Sequence, residues 1–556
     1  KELLDLFEHA STFGSLIQVP AEFATKLPDL ETKLNTALDS GDIFAQQSAQ
    51  ELLPLVQQAK LLAKQYDAVI ANPPYMGHKY LVPNLKKFLK EHYDGFEKDI
   101  FSAFMMRNLE LTKESGELGF MSPFVWMFIS SYERLRTHFI DHATITSLIQ
   151  LEYSGFDGAT VPICTFTLAK SHIKNFTGSY VRLSDFKGSE NQAPKTLEAI
   201  KNPLCGWFYN TNSENFKKIP GSPIAYWVSN SVQKIFEDNP KLDSLAKPRQ
   251  GMASSDDKRF VRVWHEVSFK TVGLGFFNRN EAIQSFKKWF PYDKGGNFRK
   301  WYGNNEFIVN WEKDGKEVLD YAASLYGSPT RTIKNISMYF KKGITWTAIT
   351  SGKLSVRYTP EGHIFSNAGM KLFNDNDKNL YFNLAFLNSK VSEYLVSCLS
   401  QTLNFDQGII AKLPIVNVDF DNFSQQSIDL SKNDWDAYET SWDFIQNPII
   451  RTQQLNLEQA FATWQQQNAD AVAEMKRLEE ENNKLFIDAY GLQDELIPDV
   501  PDEQITLTRA DREKDSQRLI SYAIGCMMGR YSLDEPGLIY AHAGNQDFDA
   551  SRYQTF

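Results

Sequence analysis

Tyr66-Asp67-Ala68-Val69-Ile70-Ala71-Asn72-Pro73-Pro74-Tyr75 is the stretch on which the reading of this chain turns. A short apolar run stops at two consecutive prolines. Proline has no amide hydrogen and a fixed φ, so a strand ladder cannot continue through Pro73 and Pro74. The pattern predicts a buried strand over 66–71 that delivers a stiff loop at its C-terminal end. In open α/β sheets, that end is where ligands bind.

Upstream, residues 1–65 carry apolar side chains at helical spacing, most clearly over 44–64, where Pro54 predicts a kink. Downstream, 99–113 reads as an amphipathic helix with Phe101, Phe104, Met105 and Leu109 on one side. A Ser115-Gly116-Glu117 turn follows, then a strand over 118–121 that stops before Pro123. A helix over 132–141 and strands over 145–151 and 163–169 continue the alternation. This predicts a doubly wound, Rossmann-like α/β domain over 66–185. Residues 186–225 are rich in polar and turn residues and read as a connector. The aromatic, glycine-rich stretch 226–430 reads as a separate mixed α+β recognition domain. From 431 to 556 the pattern is mostly helical, over 455–489 and 515–528, with Pro498 and Pro501 marking a break.

A chain of 556 residues is too long for one ordinary domain, and 42% hydrophobic with 23% charged residues is a globular balance. No window holds the roughly 20 apolar residues a membrane span needs, so no membrane partner is expected. The opening segment is polar, which predicts no signal peptide. Cys164, Cys205, Cys398 and Cys526 form no CxxC pair and read as reduced cytosolic thiols. The nine histidines fall into no ligand spacing, and no metal is expected.

The formal net charge of −10 is unevenly spread. Between Thr330 and Tyr358 lie Arg331, Lys334, Lys341, Lys342, Lys353 and Arg357 with no acid; 287–300 holds Lys287, Lys288, Lys294, Arg299 and Lys300 against Asp293. Local patches of this kind set phosphate affinity.

The loop at Asn72 suits one chemical problem. An exocyclic amino or amide nitrogen is a poor nucleophile because its lone pair is conjugated. Two acceptors aimed at its two hydrogens draw density onto the nitrogen without a strong base. The Asn72 side-chain oxygen and the Pro73 carbonyl form such a pair, with Pro74 stiffening the loop and Tyr75 placed to stack on a base. A target base inside a duplex has to leave the stack to reach them.

YDAVIANPPY resembles motif IV of the amino-methyltransferases, DIFSAFMMRNLELTKESGELGFMSP resembles motifs V and VI, and SGFDGATVPICTFTLAK resembles motif VIII with its following strand. That resemblance implies S-adenosylmethionine as cofactor, with Asn72 beside it and Phe104 against its adenine. It also implies Phe156, flanked by Gly155 and Gly158, stacking on the flipped base opposite Tyr75. Further strings, among them KPRQGMASSDDKRFVRVWHEV, KKWFPYDKGGNFRKWYGNNEFIVNW, GITWTAITSGKLSVRYTPEGHIFSNAGM and RLISYAIGCMMGRYSLDEPGLIYAHAG, resemble the PglX family, the methyltransferases of BREX phage-defence systems. The family implies site-specific adenine-N6 methylation of double-stranded host DNA, a part in phage exclusion, and other BREX components as partners. From charge alone, an acidic phage DNA-mimic protein is expected to compete for the basic stretches 287–300 and 330–358.

One part of the pattern is missing. No glycine-rich motif I precedes Asn72, where Gly14 and Gly41 stand alone. The chain is therefore expected to be a fragment whose cofactor pocket is incomplete and which is inactive alone.

For DNA reading, Arg249 and Gln250 in the Pro-Arg-Gln-Gly turn are candidates for base contacts. Arg259, Arg262, Lys294, Arg299, Lys300, Lys341, Lys342 and Arg357 are candidates for phosphate contacts, with Trp289, Trp301 and Tyr302 interleaved. Three rival functions share these features: a methyltransferase acting on protein glutamine or RNA bases, a non-catalytic specificity subunit of a defence complex, and a combined restriction–modification enzyme.

Overall fold

Six strands build the first sheet of the computed structural model, which describes residues 1–153, 155–156, 161–350, 352–401, 404–418, 423–540 and 548–552. They are β1 (Tyr66–Ala71), β2 (Thr112–Pro123), β3 (Thr144–Gln150), β4 (Ile163–Ala169), β5 (Thr177–Arg182) and β6 (Phe208–Asn212), in spatial order β1-β2-β4-β3-β5-β6. β1 pairs parallel with β2 and β3 parallel with β5, whereas β4 and β6 run antiparallel to their neighbours. The sheet is thus mixed. The alternation of strands and helices gave the α/β class, but hydrophobic pattern alone does not set strand direction.

β1 departs from the buried strand expected of its apolar run. It lies at the sheet's edge with β2 as its neighbour, and Asp67, Ala68 and Ile70 are exposed, Ile70 by 86%. An apolar run specifies a strand; which surfaces cover it is decided by tertiary neighbours. The turn expected at 115–117 appears as an irregularity in the β1–β2 register, where Tyr66 opposes Thr112 and Ala68 opposes Glu117. A side chain at Gly116 would collide with the Asp67 carbonyl at 2.8 Å.

The chain divides into two compact units, Lys1–Glu237 and Asp238–Phe556. The connector read over 186–225 belongs to the first unit's body. It contributes helix Ser189–Lys201 and edge strand β6, and it buries Phe216 and Ile224 in the core. β6 has the sequence FYNTN, and an edge strand tolerates such polar residues, which made the segment look like a linker. Buried Arg136 fastens the same region, donating to the carbonyls of Gly221 and Ser222 and to those of Trp126 and Ile129. Near the N-terminus, helix Ile43–Ala63 runs through Pro54 in one piece, and Arg107 donates to the Ile17 and Leu62 carbonyls.

The second unit holds two four-stranded sheets. The strands are β7 (Lys247–Arg249), β8 (Val261–Val263), β9 (Trp289–Asp293), β10 (Phe307–Asn310), β11 (Gly343–Thr347), β12 (Val356–Thr359), β13 (Ile364–Phe365) and β14 (Gly369–Phe373), in orders β13-β9-β10-β8 and β12-β11-β14-β7. Helices Phe423–Trp435 and Leu457–Tyr490 are joined to the segment after β9 by buried ion pairs, Arg299 to Asp434 at 2.8 Å and Lys300 to Glu479 at 2.7 Å. The boundary read at 430/431 therefore dissolves: the helical region shares a body with the sheets. Helical periodicity marks where a helix is, but not what its buried acids pair with.

No helix among the described residues is long and apolar enough to cross a membrane. All four cysteines are free thiols.

Candidate active site at the edge of the first sheet

Strand directions bring the sequence motifs to one edge. β1 ends at Ala71, parallel β2 ends at Pro123, β3 ends at Gln150 and antiparallel β4 begins at Ile163. The loop 72–75 and the loop between β3 and β4, which carries Phe156, therefore leave the sheet on the same side. Helix Ile100–Leu111, which feeds directly into β2, places its N-terminus at that side too.

Within the loop, Pro73 is buried, whereas Asn72, Pro74 and Tyr75 are exposed. The Tyr75 hydroxyl donates to Asn72 Oδ1 at 2.7 Å. An amide oxygen has two lone pairs, so this bond fixes the carboxamide and leaves one acceptor position. Partial burial raises the Tyr75 phenol above its ordinary pKa, with Cys164 at the start of β4 adding to the effect. At that end of the sheet, Cys164 Sγ sits 3.8 Å from Ser122 Oγ, and Trp126 Nε1 donates to the same hydroxyl at 3.2 Å.

Phe104 is half-buried while its helix neighbours Ala103 and Met105 are fully buried, so it sits at the margin of the core. Phe156 is exposed, as is Tyr153 nearby in sequence. Gly158, read as flanking Phe156, lies outside the described residues.

Asp99 ties these parts together, and motif reading passed it over. It caps helix Ile100–Leu111: its Oδ1 accepts the Phe101 N–H at 3.3 Å and, across from it, the Met76 N–H at 3.0 Å. Met76 directly follows Tyr75. One carboxylate thus joins the Asn72 loop to the helix bearing Phe104. The Ile100 N–H to Met76 carbonyl bond (3.2 Å) and the His78 N–H to Lys98 carbonyl bond (2.9 Å) complete the clasp. Burial raises the Asp99 carboxyl above its ordinary pKa, although backbone N–H groups oppose the shift. The signal was readable, since an Asp immediately before an amphipathic helix is an N-cap pattern. Its second partner was not.

In the second unit the basic candidates divide into three groups. Lys300 and Arg357 are buried and Arg299 is largely so: Arg299 and Lys300 hold Asp434 and Glu479, and Arg357 reaches the Arg299 carbonyl. Burial lowers the Arg357 guanidinium to about 10. These three are removed from the phosphate candidates, because a buried, internally committed cation cannot reach a phosphate. Trp289, Trp301 and Tyr302 are buried as well, so the aromatic interleaving is core packing.

Arg259, Lys294 and Lys342 are partly exposed but paired, with Glu317 at 2.7 Å, Asp257 at 2.6 Å and Asp377 at 2.8 Å. Lys341 is exposed, and Arg262 bonds backbone carbonyls while its guanidinium lies 5.7 Å from the Trp289 ring centre. Arg249 and Gln250 are half-exposed, and the Gln250 carbonyl accepts from Asn335 Nδ2 at 2.8 Å. The next residue, Gly251, packs so closely that a side chain would overlap the Phe365 carbonyl. Among the described residues, no three His, Cys, Asp or Glu side chains gather as a metal site would require.

Comparison with known proteins extends this picture. Residues 16–156 match the family of the Eco57I restriction-modification methylase. The adenine-specific methyltransferase PglX of Lacticaseibacillus casei (strain Zhang) is 35% identical over 573 residues, covering 100% of this chain and 47% of that protein. The adenine-specific methyltransferase BrxX of Escherichia coli O9:H4 (strain HS) is 35% identical over 569 residues, covering 98% of this chain and 45% of that protein. The type II restriction enzyme and methyltransferase RM.Eco57I of Escherichia coli is 28% identical over 197 residues, covering 32% of this chain and 19% of that protein. The chain spans about half the length of the first two relatives. Along its whole length, the chain is thus similar to the adenine-specific methyltransferases PglX and BrxX.

Proposed function

We propose that this chain carries the base-accepting part of an S-adenosylmethionine-dependent adenine-N6 DNA methyltransferase that marks host DNA and takes part in phage exclusion. The observation that carries the reading is the exposed Asn72 carboxamide, held by the Tyr75 hydroxyl on a loop stiffened by two prolines.

In this reading a flipped adenine enters at the sheet edge between Tyr75 and Phe156. Asn72 Oδ1 and the Pro73 carbonyl accept its two N6 hydrogens, so electron density is drawn onto the nitrogen as it becomes nucleophilic. The acceptors are set before the base arrives, which removes a reorganisation cost at the moment of reaction. Stacking on two rings replaces the duplex neighbours that the flipped base loses.

S-adenosylmethionine, when bound, would supply the methyl group. Phe104, aromatic and half-buried beside the core, fits one wall of its adenine site. Asn72 stands at the junction of the two ligands. On the second unit, Arg249 and Gln250 are the candidates for base contacts, and Arg259, Arg262, Lys294 and Lys341 for phosphate contacts. Double-stranded DNA, other BREX components and an acidic phage DNA-mimic inhibitor are the partners this reading implies.

Sequencing host DNA for N6-methyladenine, with Asn72→Ala in the full-length protein beside wild type, tests the proposal. Loss of one sequence-specific mark is the expected result; an unchanged pattern of methylation rejects it. Scoring phage exclusion in the same strains separates defence from methyl transfer.

A further inference from the structure

The segment between β8 and β9 is closed at its root and apolar at its tip. The Gly273 N–H donates to the Trp289 carbonyl at 2.8 Å and the Lys288 N–H to the Thr271 carbonyl at 3.1 Å, so 273–287 projects as an arm. A short helix, Arg279–Gln284, occupies the arm. Ala282 is buried in the unit's core, Phe276 packs edge-on to Phe290, and Arg279 forms an ion pair with Asp314. The arm is therefore pinned.

From this pinned support three apolar side chains face solvent: Phe277 (67% exposed), Ile283 (41%) and Phe286 (90%). Phe286 also has φ +57°, the left-handed region that disfavours a residue with a side chain. Two adverse features coincide at one residue, an almost bare aromatic ring and a strained backbone. Such strain persists only where the surroundings impose it.

Its setting is positively charged. Lys287 and Lys288 follow directly, and Lys288 Nζ and the Arg262 guanidinium lie 5.6 and 5.7 Å from the Trp289 ring centre. The acids nearby are engaged. Glu281 accepts from the Phe277 N–H and from Asn278, Asp314 holds Arg279, and Asp549 accepts from the Ser551 N–H and hydroxyl. A bare aromatic ring followed in sequence by two lysines, Lys287 donating through Nζ to the Lys270 carbonyl, fits a polyanion with stacked, separable apolar layers inside it. That is the chemistry of duplex DNA met by an apolar wedge.

We propose that Phe286, supported by Phe277, is an apolar wedge that inserts at a base step of duplex DNA while Lys287, Lys288 and Arg262 hold the flanking phosphates. This rests on the DNA reading above and adds a deformation step to it. Unstacking one step lowers the cost of withdrawing a base from the helix.

The test uses the full-length protein and a 40-bp duplex carrying the site mapped by methylation sequencing, with end-to-end fluorescence transfer reporting the bend. Phe286→Ala is expected to lower affinity about tenfold, as loss of one base–aromatic stack does. It should also straighten the duplex, with the salt dependence of binding unchanged. Lys287→Glu with Lys288→Glu should instead flatten that salt dependence. Phe286→Gly should bind as poorly as Phe286→Ala yet show an equal or higher Tm, because glycine relieves the positive φ. Wild-type affinity and bend in Phe286→Ala overturn the proposal. So does a change in assembly mass with DNA binding intact, which would assign the ring to a protein partner. If the wild-type protein itself neither binds nor methylates the duplex, the DNA reading fails and not the wedge alone.

Discussion

The Tyr75 hydroxyl donates to Asn72 Oδ1 at 2.7 Å, linking the last residue of the Asn-Pro-Pro-Tyr loop to the first. The bond closes the loop on itself and takes one of the two Oδ1 lone pairs, leaving the other for the proposed chemistry. Its effect on rate follows from which role dominates. An ordered acceptor is worth more in a transition state than a free-turning one.

Tyr75→Phe keeps the ring and removes only this bond. A hydrogen bond worth about 0.5–1.5 kcal/mol corresponds to a roughly two- to tenfold fall in kcat, with KM for DNA little changed. Single-turnover methylation measures it. A rate equal to or above wild type would mean that the hydroxyl merely competes with the substrate.

Asp99→Ala releases both the Met76 and Phe101 N–H groups that Oδ1 accepts. The expected cost is about 0.5–2 kcal/mol in stability, the range for a lost N-cap, together with a lower kcat because the Asn72 loop loses its anchor. Asp99→Asn keeps an acceptor and should restore most of the rate. If both variants lose rate equally, the charge and not the clasp is what matters.

The same carboxyl gives a pH signature. Burial raises its pKa in the folded protein above the unfolded value of about 3.9, so the fold favours the protonated form. The stabilisation this provides is present at low pH. It is lost as pH rises from about 4 through the raised folded value, and then the curve levels. Urea unfolding of wild type against Asp99→Asn, from pH 4 to 7, should show wild type losing ground over that window. A trend of opposite sign contradicts the assignment.

Lys341 and Lys342 are neighbours with different tasks. Lys342 Nζ pairs with Asp377 at 2.8 Å and Glu361 at 3.6 Å, whereas Lys341 is exposed, with its Nζ 3.9 Å from Met338 Sδ. Lys341→Glu should weaken DNA binding and reduce the salt slope by about one. Lys342→Glu should act mainly through the fold, lowering Tm while changing the slope less. Binding titrations at two salt concentrations separate them, and an unchanged slope for Lys341→Glu removes it from the interface.

Asp293, at the end of β9, is buried between Lys371 Nζ at 3.2 Å and His363 Nδ1 at 2.9 Å. Despite the cost of burial, those two groups hold its pKa below the ordinary carboxylate value. Asp293→Asn strands a fully buried Lys371, for which about 3–5 kcal/mol of destabilisation is expected. Adding Lys371→Met should recover much of it. Denaturant unfolding reads both variants, and a loss under about 1 kcal/mol in the single variant would show that water reaches the lysine.

Much was decided locally. Two prolines after an apolar run fix a strand end and a stiff loop through backbone sterics alone. Apolar spacing at 3.6 residues with Asp99 in front fixes a capped helix, and strands 145–151 and 163–169 follow from their own side chains to within a residue at most ends. The tertiary structure decided what depends on partners distant in sequence. β1 became an edge strand with Ile70 bare, FYNTN became a sheet edge and not a linker, and Asp99 gained Met76 as a second donor. Arg299, Lys300 and Arg357 show the limit most sharply. In the sequence they read as members of basic stretches facing phosphate, yet Asp434 and Glu479, the partners of Arg299 and Lys300, lie more than a hundred residues away, and Arg357 reaches the Arg299 carbonyl; only folding brings these groups together. Backbone stiffness and side-chain periodicity are properties of a segment; burial and charge pairing belong to the pair.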